Sequence, residues 1–306
     1  MKRILVIGGS RYFGKHLVTL LADAGHAVSV LNRGSAVPPR GVGHLVADRD
    51  DEERLRAALG GRTFDAVVDQ VCYTPGQAAV ARRVFAGRTG RYVMTSTMEV
   101  YDPAPPTAEA LGYAEGKRRA EEVFLAEPAP FAFATVRTAH VLGGGREEFT
   151  GRLAHYVGRI AAGTPVDVHA APYATSFVHH HEIAEFLAWA ATGTFTGAVD
   201  AASHGALDVR ELCGLIAGRL GRPARFRVVA AGAAASPFSF DRAYALDNSR
   251  ATALGFRFGR VADWLPRAVD ETLRAAAGPT GAPVTTGPSG RPRAAPAALL
   301  PRSCSH

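Results

Sequence analysis

Seven residues near the start constrain this chain more than any others. A short run, Arg3–Ile7, apolar after its first residue, ends in Gly8-Gly9-Ser10-Arg11-Tyr12-Phe13-Gly14. Apolar residues then recur at helical spacing through Phe13, Leu17, Leu20, Leu21 and Ala24, and Gly25 follows where a C-cap belongs. A strand, a tight glycine turn and a helix N-terminus in that order make an anion site. First-turn N–H groups and the helix dipole face one point. Glycine there lets a ligand approach the backbone and lets the helix pack closely on the strand. The spacing is a G-x-x-x-x-x-G frame with Arg11 where a middle glycine is usual. It predicts that Gly8, Gly9, Ser10, Arg11, Tyr12, Phe13 and Gly14 cradle the pyrophosphate of a dinucleotide. The alternative is a βα turn of structural use only.

The same alternation continues. Strands are predicted at Ala27–Leu31, Leu45–Val46, Ala66–Asp69, Tyr92–Thr95 and Phe131–Arg137. Helices are predicted at Glu52–Leu59, Gln77–Phe85 and Tyr113–Leu125. Strands alternating with helices imply a parallel sheet covered on both faces, and the right-handed crossover rule leaves a doubly wound Rossmann sheet. Beyond Gly143-Gly144-Gly145 the pattern loosens. Helices are expected at Thr150–Ala161, His181–Ala191, Val209–Leu220 and Trp264–Ala275, with short strands near Val166–Val168, Ser176–Val178 and Phe226–Val229. The expected division is a dinucleotide-binding domain over 1–145 and a smaller α/β substrate lobe over 146–277, interleaved with the sheet end. Residues 278–306, rich in proline and glycine, are expected to form a disordered tail.

A second dinucleotide contact belongs at the end of the second strand. An acidic residue there would hold the ribose hydroxyls of NAD. This chain has Asn32-Arg33-Gly34 instead. No carboxylate repels a 2′-phosphate, and Arg11 and Arg33 are placed to clamp one, so NADP is expected ahead of NAD. Asp48, with Arg49 beside it, ends the third strand and is a candidate acceptor for the adenine amine. A solvated loop charge at Arg33 and a helix-capping turn at Asp48 are the structural alternatives.

Tyr113-Ala-Glu-Gly-Lys117 sets a phenol and an ammonium four apart on one helix face. The chain holds 306 residues but only three lysines, at 2, 15 and 117, and eight tyrosines. Chance therefore supplies about 0.08 such pairs. A phenol with a pKa near ~10 is a poor acid–base group at neutral pH, and a fixed cation beside it is expected to lower that value. Tyr113 then exchanges a proton with an alcohol or carbonyl as hydride moves to or from a nicotinamide. Lys117 also reaches the ribose hydroxyls as a compact donor. The alternative is a surface ion-pair spacing without chemistry.

With Ser96-Thr97-Met98-Glu99-Val100-Tyr101 after a strand, these motifs resemble the extended short-chain dehydrogenase/reductases, the NAD(P)-dependent epimerase/dehydratase family. The resemblance covers about residues 1–275. It implies that Thr97, four before Tyr101, is the third catalytic member and holds the substrate oxygen against Tyr113, with Ser96 as the fallback. It also implies a homodimer through two exposed helices. Three departures narrow the substrate. Thr97-Met98-Glu99 replaces the Thr-Asp-Glu of the family's dehydratases. Arg137-Thr-Ala-His140 ends in His where nucleotide-sugar binders carry Asn. Thr175 stands where their strand carries Arg.

Other chemistry finds little footing. His179-His180-His181-Glu182 invites a metal, but adjacent strand residues point to opposite faces, so no metal site is expected. His181 is placed near a helix start, and His179 in the core or along the substrate cleft. No Gly-x-Ser-x-Gly elbow is present for a hydrolase. Cys72 reads as a small buried hydrophobe, and Phe238, Phe240 and Trp264 as core. The three cysteines are far apart and suit a reducing cytosol. Met1-Lys2-Arg3 imitates a leader, but Gly8-Gly9 interrupts its apolar stretch. The net charge of +7 gathers in no aromatic-studded stripe, so nucleic acid is not an expected partner, nor is a membrane. The expected protein is a cytoplasmic NAD(P)-dependent oxidoreductase, moving hydride between NADPH and a carbonyl or hydroxyl of a small metabolite. The alternatives are a sugar or nucleotide-sugar epimerase with retained NAD, and a non-catalytic NADP-sensing or RNA-binding protein.

Overall fold

The computed structural model describes residues 1–102, 107–230 and 232–277; the expected disordered tail lies outside them. The first half runs β1 (Arg3–Ile7), α1 (Tyr12–Asp23), β2 (Ala27–Asn32), β3 (Gly43–Val46), α2 (Glu52–Leu59), β4 (Ala66–Asp69), α3 (Pro75–Phe85), β5 (Arg91–Thr97), α4 (Ala108–Leu125) and β6 (Ala132–Thr138). It continues with β7 (His140–Leu142), α5 (Arg152–Ala161), β8 (Val166–Val168), β9 (Phe177–His179), α6 (His180–Thr192) and β10 (Gly197–Ala201). The last elements are α7 (Val209–Leu220), β11 (Phe226–Val228), α8 (Ser249–Ala253) and α9 (Val261–Ala277).

Seven parallel strands form the main sheet in the order β10-β6-β5-β4-β1-β2-β3. The chain winds outward from β1 to β3, then returns to β4 and winds the other way. This is the doubly wound Rossmann sheet the alternation predicts, and its switch point lies between β1 and β4. Both faces are covered. Ile4, Val6, Val28, Val30 and Val93 pack under α1 and α6, while Leu5, Ile7, Val67, Tyr92 and Met94 pack under α2, α3 and α4. Burial on both faces explains the unbroken apolar runs at residues 4–7 of β1, 66–68 of β4 and 92–94 of β5. A third cluster joins α5, α7 and α9 to the small β8–β11 sheet.

Several elements depart from the sequence reading, the short α8 among them. The seventh strand, Gly-Ala-Val-Asp-Ala at β10, was not expected, because it lacks the β-branched run that marks a strand. It forms because β6 offers a free edge and pairs it from Gly197 to Ala201. The short β7 pairs with β9 in a sheet of its own. Helix α4 begins at Ala108, five residues ahead of Tyr113, with Thr107 accepting from the Ala110 N–H as its cap.

A buried ion pair ties the switch point together. Asp69, fully buried at the end of β4, accepts from Arg49 Nη1 at 2.7 Å and from Tyr92 Oη at 2.5 Å. Desolvation works against the Arg49 charge, but Asp69 more than offsets it and raises the guanidinium's pKa. Arg49→Met should cost about 3 kcal/mol or more in urea denaturation, since it strands a buried carboxylate. A loss below about 1 kcal/mol would show the pair to be dispensable.

Candidate active site

The glycine turn sits at the C-terminal end of β1, beside the start of the loop after β4. Gly8 has φ +103°, a conformation side chains rarely adopt, and a Cβ there would lie 3.0 Å from Val71. A Cβ on Gly9 would strike Val6 and Val18, and one on Gly14 would strike Gln70 Oε1 and approach the Gly9 Cα. The glycines therefore let α1 close down on β1. Arg11 caps α1 in extended geometry without a side-chain cap hydrogen bond, and among the described residues no side chain accepts from the first-turn N–H groups. Tyr12 has φ +50° and is buried, its hydroxyl donating to the Gly143 carbonyl at 3.0 Å. Phe13 packs against the core.

The second-contact residues divide. The Asn32 amide donates to Ser10 Oγ at 2.6 Å and to the Ala36 carbonyl at 2.9 Å, and its oxygen accepts from the Gly34 N–H. It thus shapes the loop after β2, and Ser10 is held with it. Arg49 is committed to Asp69, so its charge is spent inside the protein. Asp48 is exposed and accepts from the Asp50 N–H. Arg11 and Arg33 are exposed, and neither guanidinium has a partner among the described residues.

Thr97, Tyr113 and Lys117 come together at the end of β5. Thr97 is buried, and its hydroxyl lies within hydrogen-bonding reach of Tyr113 while also accepting from the Glu99 N–H. Lys117 is 2% exposed. Its ammonium donates to the Thr95 carbonyl at 2.8 Å and lies over the Tyr73 ring at 4.5 Å and the Tyr113 ring at 5.9 Å. Gly116 makes this possible: a Cβ there would collide with the Tyr73 carbonyl, so glycine alone lets α4 lie this close.

The expected acidification of Tyr113 is not found. Burial of its hydroxyl end raises the phenol's pKa, and Tyr73 and Glu99 push the same way. The Thr97 hydrogen bond and the Arg152 charge only partly offset them. The residue as a whole remains 39% exposed. Burial acts oppositely on Lys117, lowering its pKa to about 8 despite the opposing pull of Cys72 and Asp69. Burial also pushes the Cys72 thiol up to about 12, which leaves it a protonated, inert hydrophobe.

Several polar groups here escaped the sequence reading. Gln70 Nε2, Thr95 Oγ1 and Ser96 Oγ, at the C-terminal ends of β4 and β5, are buried without a partner. Buried polar atoms are normally paired, so these three are exceptions at the mouth of the sheet. Farther out, His140 sits among Phe177, Phe238, Phe240 and Tyr244 and contacts Arg152 Nη1 through Nδ1 at 3.1 Å. Tyr244 lies beside Glu99, with its pKa raised by burial first and by that carboxylate next. Phe238 is core, as expected. None of these residues forms a motif; topology alone gathers them.

The histidine run does not alternate as a strand would. His179 ends β9 and His180 opens α6, so the three residues turn a corner and their ligating atoms lie within 4.8 Å of one another.

A seven-stranded Rossmann sheet with a glycine turn and a Thr-Tyr-Lys group at its mouth defines a dinucleotide-fold protein. Residues 4–83 match the model of the NAD dependent epimerase/dehydratase family. A 2′-dehydrokanamycin reductase from Streptomyces kanamyceticus is 35% identical over 107 residues. That match spans 34% of this chain and 30% of the reductase, so the chain covers under a third of this relative's length. Solved structures extend the likeness to most of the chain. A UDP-glucose 4-epimerase from Thermotoga maritima with UDP-glucose superposes with a TM-score of 0.72 at 18% identity, over 90% of this chain and 99% of that one. Its counterpart from Thermus thermophilus, in complex with NAD, gives 0.67 at 20% identity over 89% and 99%. A dTDP-glucose 4,6-dehydratase from Bacillus anthracis in complex with NAD gives 0.71 at 12% identity over 91% and 98%. At these low identities the superpositions show the shared fold alone. No helix among the described residues is long and apolar enough to cross a membrane.

Lys117 carries a pH signature. Its folded pKa lies below the unfolded value of ~10.4, so between about pH 8 and 10 the unfolded chain binds more protons and stability rises with pH. Lys117→Met should be more stable than the native chain at pH 7. Its advantage should shrink by about 1 kcal/mol per pH unit from pH 8 to 10 in urea denaturation. A pH-independent difference would rule out a buried, titrating ammonium.

Proposed function

We propose that the chain is an NAD(P)-dependent oxidoreductase that reduces a carbonyl of a small metabolite, or runs the reverse reaction, with NADP preferred. The observation that carries this reading is the Lys117 ammonium. It is buried at the mouth of the sheet, yet donates to a single protein acceptor among the described residues, the Thr95 carbonyl. An ammonium has three donors. The two left over, with the unpaired Thr95 and Ser96 hydroxyls and the Gln70 amide, fit the hydroxyls and phosphates of a dinucleotide lying across the β1–β4 crevice. The free first-turn N–H groups of α1 suit its pyrophosphate. The unpartnered Arg11 and Arg33 suit a 2′-phosphate.

When bound, the nicotinamide supplies or accepts the hydride. The protein's part is positional and protic. Thr97 holds the substrate oxygen against Tyr113. The raised pKa keeps Tyr113 protonated at neutral pH, so its ready role is to give that proton to the oxygen as the carbonyl is reduced. Lys117 anchors the ribose and places positive charge beneath the phenolate that remains. Glu99 and Arg152 act on Tyr113, with Tyr244 beside Glu99 and His140 against Arg152, and on this reading the rest of the substrate would lie toward that group. The reductase named above supports this direction of reaction. The epimerase reading is tested by the purified protein itself, since stoichiometric retained NAD would favour it.

Two measurements test the assignment. With NADPH and a panel of carbonyl compounds, Tyr113→Phe should lower turnover by about 10²–10⁴-fold while leaving NADPH affinity unchanged. Undiminished turnover would remove Tyr113 from the chemistry. Replacing Arg11 and Arg33 together by Ser should weaken NADPH binding about tenfold or more and leave NADH binding nearly unaltered, because charge-assisted contacts to the 2′-phosphate are lost. Equal weakening of both would refute the NADP preference.

A further inference from the structure

Behind the glycine turn, and apart from the crevice, four imidazoles and a carboxylate gather around the corner between β9 and α6. Ring centroids lie 4.5 Å apart for His179 and His180, 4.1 Å for His180 and His181, and 5.2 Å for His179 and His181. His16 of α1 stacks on His181 at 4.0 Å, and Glu271 of α9 stands 3.7 Å from His180 Nε2. The Nε2 atoms of His179 and His180 are buried and have no hydrogen-bond partner. The His180 ring lies parallel to Tyr12, which closes that side, while His181 and His16 are only partly buried and leave a way in.

We propose that His179, His180 and His181 bind a divalent transition metal ion, Zn²⁺ foremost, at this corner. Three imidazoles are a donor set for Zn²⁺, Ni²⁺ or Cu²⁺ and a poor one for Mg²⁺ or Ca²⁺, which take oxygen ligands. Zinc–nitrogen bonds of ~2.0–2.1 Å in a tetrahedron put the nitrogens about 3.3 Å apart. The three present donors, all within 4.8 Å of one another, need a contraction of about 1.5 Å at most. Small ring rotations supply this. One existing contact is given up. The His181 N–H lies 3.4 Å from His179 Nδ1, so ligation through His179 Nε2 moves the ring proton to Nδ1 and releases that long cap. Three protein ligands leave a fourth position, and Glu271 is the acid beside it. Its carboxylate already accepts from the Gly144 N–H and from Arg267 Nε, which hold it in place.

The test uses the untagged full chain, stripped with a chelator and dialysed. Titration calorimetry should show one Zn²⁺ per chain with micromolar affinity or tighter, and no binding of Mg²⁺. Co²⁺ should give the visible absorption of a tetrahedral site without a thiolate charge-transfer band. His181→Gln, the least buried of the three, should weaken Zn²⁺ binding about 30-fold or more. His155→Gln and Cys304→Ser should leave it unchanged. Failure of the native chain to hold Zn²⁺ at 100 µM would overturn the site. So would binding that survives His181→Gln, or binding lost on Cys304→Ser. The Co²⁺ spectrum of the native chain decides the ligand type even if a histidine variant folds poorly.

Discussion

The placement of the Lys117 ammonium is the constraint on which the mouth of this sheet depends. A cation with 2% exposure is costly unless its surroundings compensate. Here they do so only in part, through the Thr95 carbonyl and the face of Tyr73. Those contacts in turn fix the helix. Gly116 must be glycine for α4 to meet the Tyr73 carbonyl, and that approach brings Tyr113 beside Thr97. The loop after β4, the end of β5 and the first turns of α4 therefore form one unit. Asp69, Arg49 and Tyr92 brace it from beneath by a second buried charge network.

Much of this was legible before any coordinates. A strand that ends in Gly-Gly and enters a helix leaves few folds open, and the alternation of periods 2 and 3.6 supplied most of the remaining elements. Tyr113 and Lys117 stood out because lysine is so rare here. What stayed hidden has a common physical cause. Gly197–Ala201 is a strand only because β6 presents an edge to it, a fact that no local propensity encodes. Gln70 and Tyr73 enter the site from a loop whose path is set by tertiary contact. The histidine run differs from a plain strand for a sharper reason, though the sequence rightly puts His181 near a helix start. Alternation of side chains holds within a strand, and this run straddles a strand end and a helix start, where no single period applies.

The acidity of Tyr113 shows how far a pairwise argument reaches. Four residues apart on a helix, a cation should stabilise a phenolate. Yet the ammonium turns toward Thr95 and Tyr73, and burial dominates the phenol. Desolvation disfavours whichever form is charged, so it raises the acid and lowers the base together. Tyr113 is held neutral, and Lys117 is brought to about 8. The pair is thus driven apart by one cause rather than coupled by attraction.

That separation bears on direction. A phenol held in its protonated form is ready to give a proton to a developing alkoxide and slow to take one from an alcohol. Oxidation would first need the phenolate, which Thr97, the Arg152 charge and the Lys117 ammonium 5.9 Å from the ring offset only in part against burial. A bound substrate oxygen replaces the water that Tyr113 loses on burial. A ribose on the two remaining Lys117 donors raises the ammonium's pKa again, because hydrogen bonds to the charged form favour it. On the proposed reading, cofactor binding therefore holds the positive charge beneath Tyr113 more firmly when the proton leaves. The site reaches its working electrostatics only when it is loaded, and its cost in stability is carried by the empty protein.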